Sequence, residues 1–106
     1  EVTTACIDNL QFKEPAFLGN MVVIIGRITY VGRSSMEVRV DSYVEDEKGF
    51  RRPINRAYVT MVALDEKERP KEVAFGLELR TESEKAEWES GMKRAELRKQ
   101  RRKEGF

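Results

Sequence analysis

Residues 32 to 35 read Gly-Arg-Ser-Ser, set between two runs of apolar and alternating residues. An arginine followed by two hydroxyls, beside the free amides of a turn, can gather around an anion. The guanidinium offers forked donors that match phosphate oxygens, the hydroxyls add further donors, and a glycine lets the backbone come close. The same residues also suit a plain turn, with Gly32 at positive φ and Ser34 and Ser35 bonded to local backbone groups, and spacing alone leaves both readings open. Chemistry beyond binding is narrowly bounded. With no histidine and a single cysteine, Cys6, the chain has no means for Ser-His-Asp or Cys-His catalysis, and no metal site is expected. The carboxylates in "VEDEKG" and "LDEKERP" fall in turns, where charge keeps a loop soluble. The stretch "KRAELRKQRRK", residues 93–103, is a second feature that could meet an anion, or simply a basic helix end matched to its dipole. Only Trp88 and Phe106 flank it, too few aromatics to stack on bases, which argues against nucleic acid as its partner.

These groups need a scaffold, and 106 residues allow one modest domain that buries roughly 60–70% of its unfolded surface. Charged residues make up 37% of the chain and hydrophobic ones 40%, with a net charge of +1, so the overall balance is not that of a polycation. No apolar run approaches the roughly 20 residues that span a bilayer, and the start lacks a basic-then-apolar signal pattern. Cys6, read as a buried strand residue, cannot form an internal disulfide, and a cytoplasmic setting is the expectation.

Val2 to Phe12 reads as a strand, ended by "KEPAFLGN"; Met21 to Val31 is apolar on both faces apart from Arg27 and Thr29. From Met36 the alternation is clean, with Met36, Val38, Val40 and Val44 on one face and Glu37, Arg39, Asp41 and Glu45 on the other. "EDEKGF" supplies a hairpin turn, and Ala57 to Leu64 returns as another strand. Short turns between consecutive strands predict an antiparallel meander. "EVAFGLEL" reads as a further short strand or an extended segment. Thr81 with Glu84 forms a capping box that opens a charged helix, so residues 1–80 divide from a helical segment 81–106. Its apolar stripe, Trp88, Met92 and Ala95, is thin, which predicts a helix on the surface or against a partner subunit rather than one in the core. Strands apolar on both faces need cover that this helix cannot give, so another chain or an upstream segment is expected to supply it.

Taken together, "VTTACIDNLQFKEPAFLGNMV", "YVGRSSMEVRV", "YVTMVALDEKERP" and "RAELRKQRRK" resemble the hotdog-fold acyl-CoA thioesterases of the bacterial acyl-CoA hydrolase type. Val2, Thr3, Asp8, Phe12, Pro15, Gly19, Gly32, Arg33, Ser34, Ser35, Met36, Val62, Ala63, Leu64 and Asp65 carry the resemblance. Asn20 stands where that family commonly has an aspartate, and "EVAFGLEL" departs from a usually proline-rich segment. The resemblance implies an α+β hotdog fold, a curved antiparallel sheet around a central helix, with that helix and the first strand upstream of Glu1. It implies pairs of such units and three pairs in a hexamer. It further implies hydrolysis of acyl-CoA to a fatty acid and coenzyme A without a cofactor, the catalytic group lying upstream and no catalytic residue within this chain. Gly32, Arg33, Ser34 and Ser35 would bind coenzyme A, and Arg94 and Arg98 would add phosphate contacts. The reading from another class is a non-catalytic sheet module whose basic helix binds nucleic acid or an acidic partner.

Overall fold

The computed structural model describes residues 1–73 and 76–105. Four strands, β1 (Val2–Phe12), β2 (Met21–Val31), β3 (Ser35–Glu45) and β4 (Arg51–Ala63), form one antiparallel sheet, and α1 (Glu82–Glu104) follows. The α+β class is as expected, but the sheet is not a simple meander. Its order is β1-β4-β3-β2, so β1 pairs with β4 and lies at the edge opposite β2. Residues 13–20 make this connection. Eight extended residues reach about 26–29 Å, ample for the three inter-strand spacings of roughly 4.8 Å that separate the edges. β4 starts at Arg51, six residues before the alternation from Ala57 is legible. Pro53 hides the early part. It sits past the last partner of β1, Asn55, and beside the bulge between Ser42 and Tyr43, where a residue without an N–H is tolerated. "EVAFGLEL" contains Ala74 and Phe75, which lie outside the described residues; its other residues form no strand.

α1 is capped at both ends. The Thr81 side chain accepts from the Glu84 amide, the Glu84 carboxylate accepts from the Thr81 amide, and Gly105 closes the helix in the left-handed conformation. The helix lies across the sheet as the expected surface helix, with Gly91 its one buried residue among those described, but it meets the sheet along a different stripe from the thin apolar one. Its seam is Glu87, Trp88, Gly91, Arg94, Arg98 and Arg101, and Met92 is left 39% exposed. Trp88 packs on Tyr30 with ring centroids 4.7 Å apart, a tilted aromatic pair. The rest of the seam is ionic, so segments 1–80 and 81–106 meet through arginines and carboxylates.

This contact sorts the sheet into two faces. Asp8, Tyr30, Glu37, Arg39 and Tyr58 meet the helix, so the alternate residues Ile7, Ile24, Ile28, Val38 and Val59 point the other way. That second face is apolar and largely open: Ile24 is 66% exposed and Phe12 77%. The alternation along β3 therefore holds. Its charged side is the one α1 buries.

Gly91 marks the closest approach. A Cβ there would stand 2.7 Å from Tyr30 Cβ and 3.0 Å from a carboxylate oxygen of Glu37. In an open helix Gly→Ala gains about 1 kcal/mol. Here the overpacking, worth ~1–3 kcal/mol, falls on a backbone-proximal atom that cannot yield without moving β2. Gly91→Ala is thus expected to lower the urea midpoint at an unchanged m-value; a rise would contradict this packing.

Candidate functional site

The Gly-Arg-Ser-Ser turn joins β2 to β3. Gly32 N donates to Ser35 O at 2.8 Å, Ala63 N to Ser34 O at 2.9 Å and Val73 N to Arg33 O at 2.7 Å. Three successive carbonyls are thereby held, two of them by the end of β4 and the segment after it. Gly32 does not have the positive φ of the plain-turn reading. Its requirement is closeness: an added Cβ would stand 3.3 Å from Ser35 Oγ and 3.5 Å from the Tyr30 ring.

The turn opens onto a groove of about 320 Å³. Arg33, Ser34 and Ser35 form one wall, and Arg98, Lys99 and Arg102 of α1 form the other. Cys6 and Thr60, cross-strand partners on β1 and β4, line it between them. Among the described residues no carboxylate pairs with Arg33, Lys99 or Arg102. The groove is consequently cationic and able to accept a phosphorylated ligand.

The neighbouring arginines have other work. Arg94 donates to both oxygens of the buried Glu37 at 2.7 Å, and its guanidinium lies 3.6 Å from the Tyr58 ring centroid. It lines no part of this groove. Arg98 does line it, while donating to Asp8 at 3.0 Å; Arg101 donates to the other Asp8 oxygen at 2.9 Å. Of the two helix arginines expected near a ligand, one thus faces the sheet and the other shares the Asp8 carboxylate with Arg101. Arg39 bridges Asp41 and Glu87, and Arg56 adds a second bond to Asp41 at 2.6 Å. Lys99 and Arg102 lie in the basic stretch 93–103 without having been singled out within it, and Thr60 carried no signal. The seam had a signal: Glu87, Gly91, Arg94, Arg98 and Arg101 repeat at four and three residues, opposite the charged alternation of β3.

Burial pushes the Asp8 carboxyl up, but the hydrogen bonds from Arg101 and Arg98 outweigh it and hold the group below the usual carboxylate range. A depressed folded pKa means that ionised Asp8 adds stability above its unfolded value, about 3.9. That stability is lost as pH falls through the lower folded value. Urea midpoints measured downward from pH 6 are expected to drop below about pH 4, and Asp8→Asn should flatten part of the drop. An identical acid profile in that variant would rule out Asp8 as a contributor. Burial, followed by the Asp8 carboxylate, raises the Cys6 thiol above its ordinary pKa, which keeps it protonated and a poor nucleophile.

Residues 1–51 match the family model for the thioesterase superfamily. The chain is 37% identical over 98 residues to Protein VdlD of Helicobacter pylori, a match covering 90% of this chain and 54% of that protein. It superposes on an apo-hexameric acyl-CoA thioesterase with a TM-score of 0.83 at 40% identity, covering 94% of this chain and 64% of that one. The corresponding values for the acyl-CoA hydrolase of Staphylococcus aureus, solved with butyryl coenzyme A, coenzyme A and coenzyme A disulfide, are 0.85, 33%, 99% and 64%. The chain is thus similar to thioesterases over most of its length, and to the superfamily model over its first 51 residues. It has the hotdog sheet of these thioesterases, here four antiparallel strands with a C-terminal helix. It spans about half the length of the curated relatives it matches. The segment that matches the family model takes in β1, β2, the Gly-Arg-Ser-Ser turn and β3, and stops as β4 begins. Among the described residues no helix is long and apolar enough to cross a membrane.

Proposed function

We propose that this chain is the larger part of an acyl-CoA thioester hydrolase, which releases a free fatty acid and coenzyme A. The observation that carries the reading is the cationic groove: Arg33, Ser34 and Ser35 sit on one wall and further basic groups on the other. Arg33 holds phosphate oxygens, the hydroxyls of Ser34 and Ser35 add donors, and Gly32 lets a ligand approach the turn. The similar hydrolase of Staphylococcus aureus was solved with coenzyme A bound, which supports this assignment.

Thioester hydrolysis consumes water and needs no resident cofactor. The activating carboxylate or amide belongs to the part of the hydrolase that this chain does not span, at the start of a helix whose amides polarise the thioester carbonyl. That helix covers the open apolar face of the sheet, where Ile7, Ile24, Ile28 and Phe12 await a partner. The protein acts as a homo-oligomer of paired hotdog units, arranged as a trimer of such pairs; a similar thioesterase is hexameric. A cytoplasmic setting accords with the unpaired Cys6. The polyanion-binding alternative loses support because Arg94, Arg98 and Arg101 are committed to Glu37 and Asp8.

Calorimetric titration of coenzyme A into the full-length protein tests the assignment. Saturable binding that weakens with added salt is expected, with a Kd within the ~1 μM–1 mM range common for enzyme KM values. Absence of binding at several-fold higher concentration would overturn it.

A further inference from the structure

We infer that α1 is a strap latched by charge: it leaves the sheet as one unit, through an opening separate from the unfolding of the strands, and the groove exists only while it is docked. Arg98, Lys99 and Arg102 of the helix form one wall of that groove and the Gly-Arg-Ser-Ser turn the other, so departure of the helix dissolves it.

The make-up of the seam under α1 carries the inference. Gly91 is the helix's one buried residue among those described, and the large apolar Met92 and Leu97 stay exposed, so burial of apolar surface holds the helix weakly. Beside the aromatic pair of Trp88 and Tyr30, the ties are ionic: Glu87 with Arg39, Arg94 with Glu37, and Arg98 and Arg101 with Asp8. Such charges lose hydration when they meet and regain it when they part, which brings the docked and free states closer than an apolar seam would. The docked state also carries a defect. Glu87 Oε2 is buried without a hydrogen-bond partner among the described residues, a cost that water removes once the helix lifts. The helix can lift intact, because its capping box, acidic first turn, basic last turn and left-handed Gly105 stabilise it without the sheet. Residues 76–80, in neither strand nor helix, join it to what precedes. The strands have no such freedom: β3 is paired along its length with both β2 and β4 and opens only with the domain.

Native-state hydrogen exchange of the full-length protein, resolved by peptide and followed at increasing urea, tests the strap. Amides from Glu87 to Arg101 are expected to share one opening free energy, below that of β3 and β4, with a much shallower urea slope because undocking bares little surface. Asp8→Asn removes the charged acceptor of Arg98 and Arg101 and should speed exchange along the whole helix by about tenfold. A slope and free energy equal to those of the strands would overturn the inference, as would an acceleration confined to the turns around Arg98 and Arg101, which marks fraying. Control by ligand rests on the proposed coenzyme A assignment: a molecule held by both walls binds only the docked state, so coenzyme A at about 100 times its Kd should slow α1 exchange by a similar factor. Binding that leaves α1 exchange unchanged would overturn this coupling. Absence of binding would instead overturn the coenzyme A assignment, and the urea slopes alone would then decide the strap.

Discussion

Glu37→Ala should cost the domain about 3–5 kcal/mol, the range for removing one partner of a buried ion pair. Glu37 is 1% exposed, and its two oxygens accept from Arg94 Nε, Arg94 Nη2 and Thr29 Oγ1, each at 2.7 Å. A bulge in β2 between Ile28 and Tyr30 places Thr29 for this bond. With the carboxylate gone, the Arg94 guanidinium keeps only the Tyr58 ring among the described residues, and a buried hydroxyl loses its acceptor. The penalty comes mostly from groups left unpaired, so an apolar pair should behave differently. Glu37→Leu combined with Arg94→Met should recover much of the loss, because replacing both charges avoids the orphaned cation. Urea unfolding of the three forms decides the matter. A loss under about 1 kcal/mol for Glu37→Ala would mean that the pair behaves as a surface contact and α1 is not held by it.

Arg33→Ala should raise KM for acyl-CoA by about tenfold or more, the equivalent of losing one hydrogen bond to a charged group, while kcat changes less. The asymmetry follows from where Arg33 sits. It lies on the groove wall, outside any carboxylate pair among the described residues, and a phosphate contact made there is equally strong in the ground and transition states. Arg33→Lys should restore charge but not the forked geometry, giving an intermediate KM. Steady-state thiol release by the full-length variants measures both constants. An unchanged KM in Arg33→Ala would remove Arg33 from the binding wall, and a fall confined to kcat would place it nearer the chemistry than the groove allows.

Local signals were legible where one residue's chemistry settles a local shape. The capping box at Thr81 and Glu84, the alternation of β3 and the turn at residues 32–35 all lie where the sequence places them. What failed to show were the relations between distant segments. β1 and β2 both read as strands, but nothing local says that residues 13–20 carry the chain to the opposite edge instead of turning a hairpin. The seam of the helix was hidden for a related reason. Its apolar content is low because the face it covers is charged, so hydrophobic spacing pointed to Met92, while the contacts run through Arg94, Arg98 and Arg101. A charged stripe on a helix and a charged side of a strand look like two solvated surfaces until the fold sets one on the other. The groove suffered the same way: Arg33 stood out beside its hydroxyls, but Lys99, Arg102 and Thr60 join it only through the packing of α1 and β4.

The proposed function assigns this sheet, with its open apolar face and cationic groove, to the nucleotide end of a thioester substrate, the bond being broken elsewhere on the protein. Thiol release by the full-length protein, measured on an acyl-CoA and on the same acyl group carried by pantetheine, tests that division most directly. The account predicts a kcat/KM at least about tenfold higher for acyl-CoA, with the gap narrowed by Arg33→Ala. Equal kcat/KM for the two substrates would contradict it.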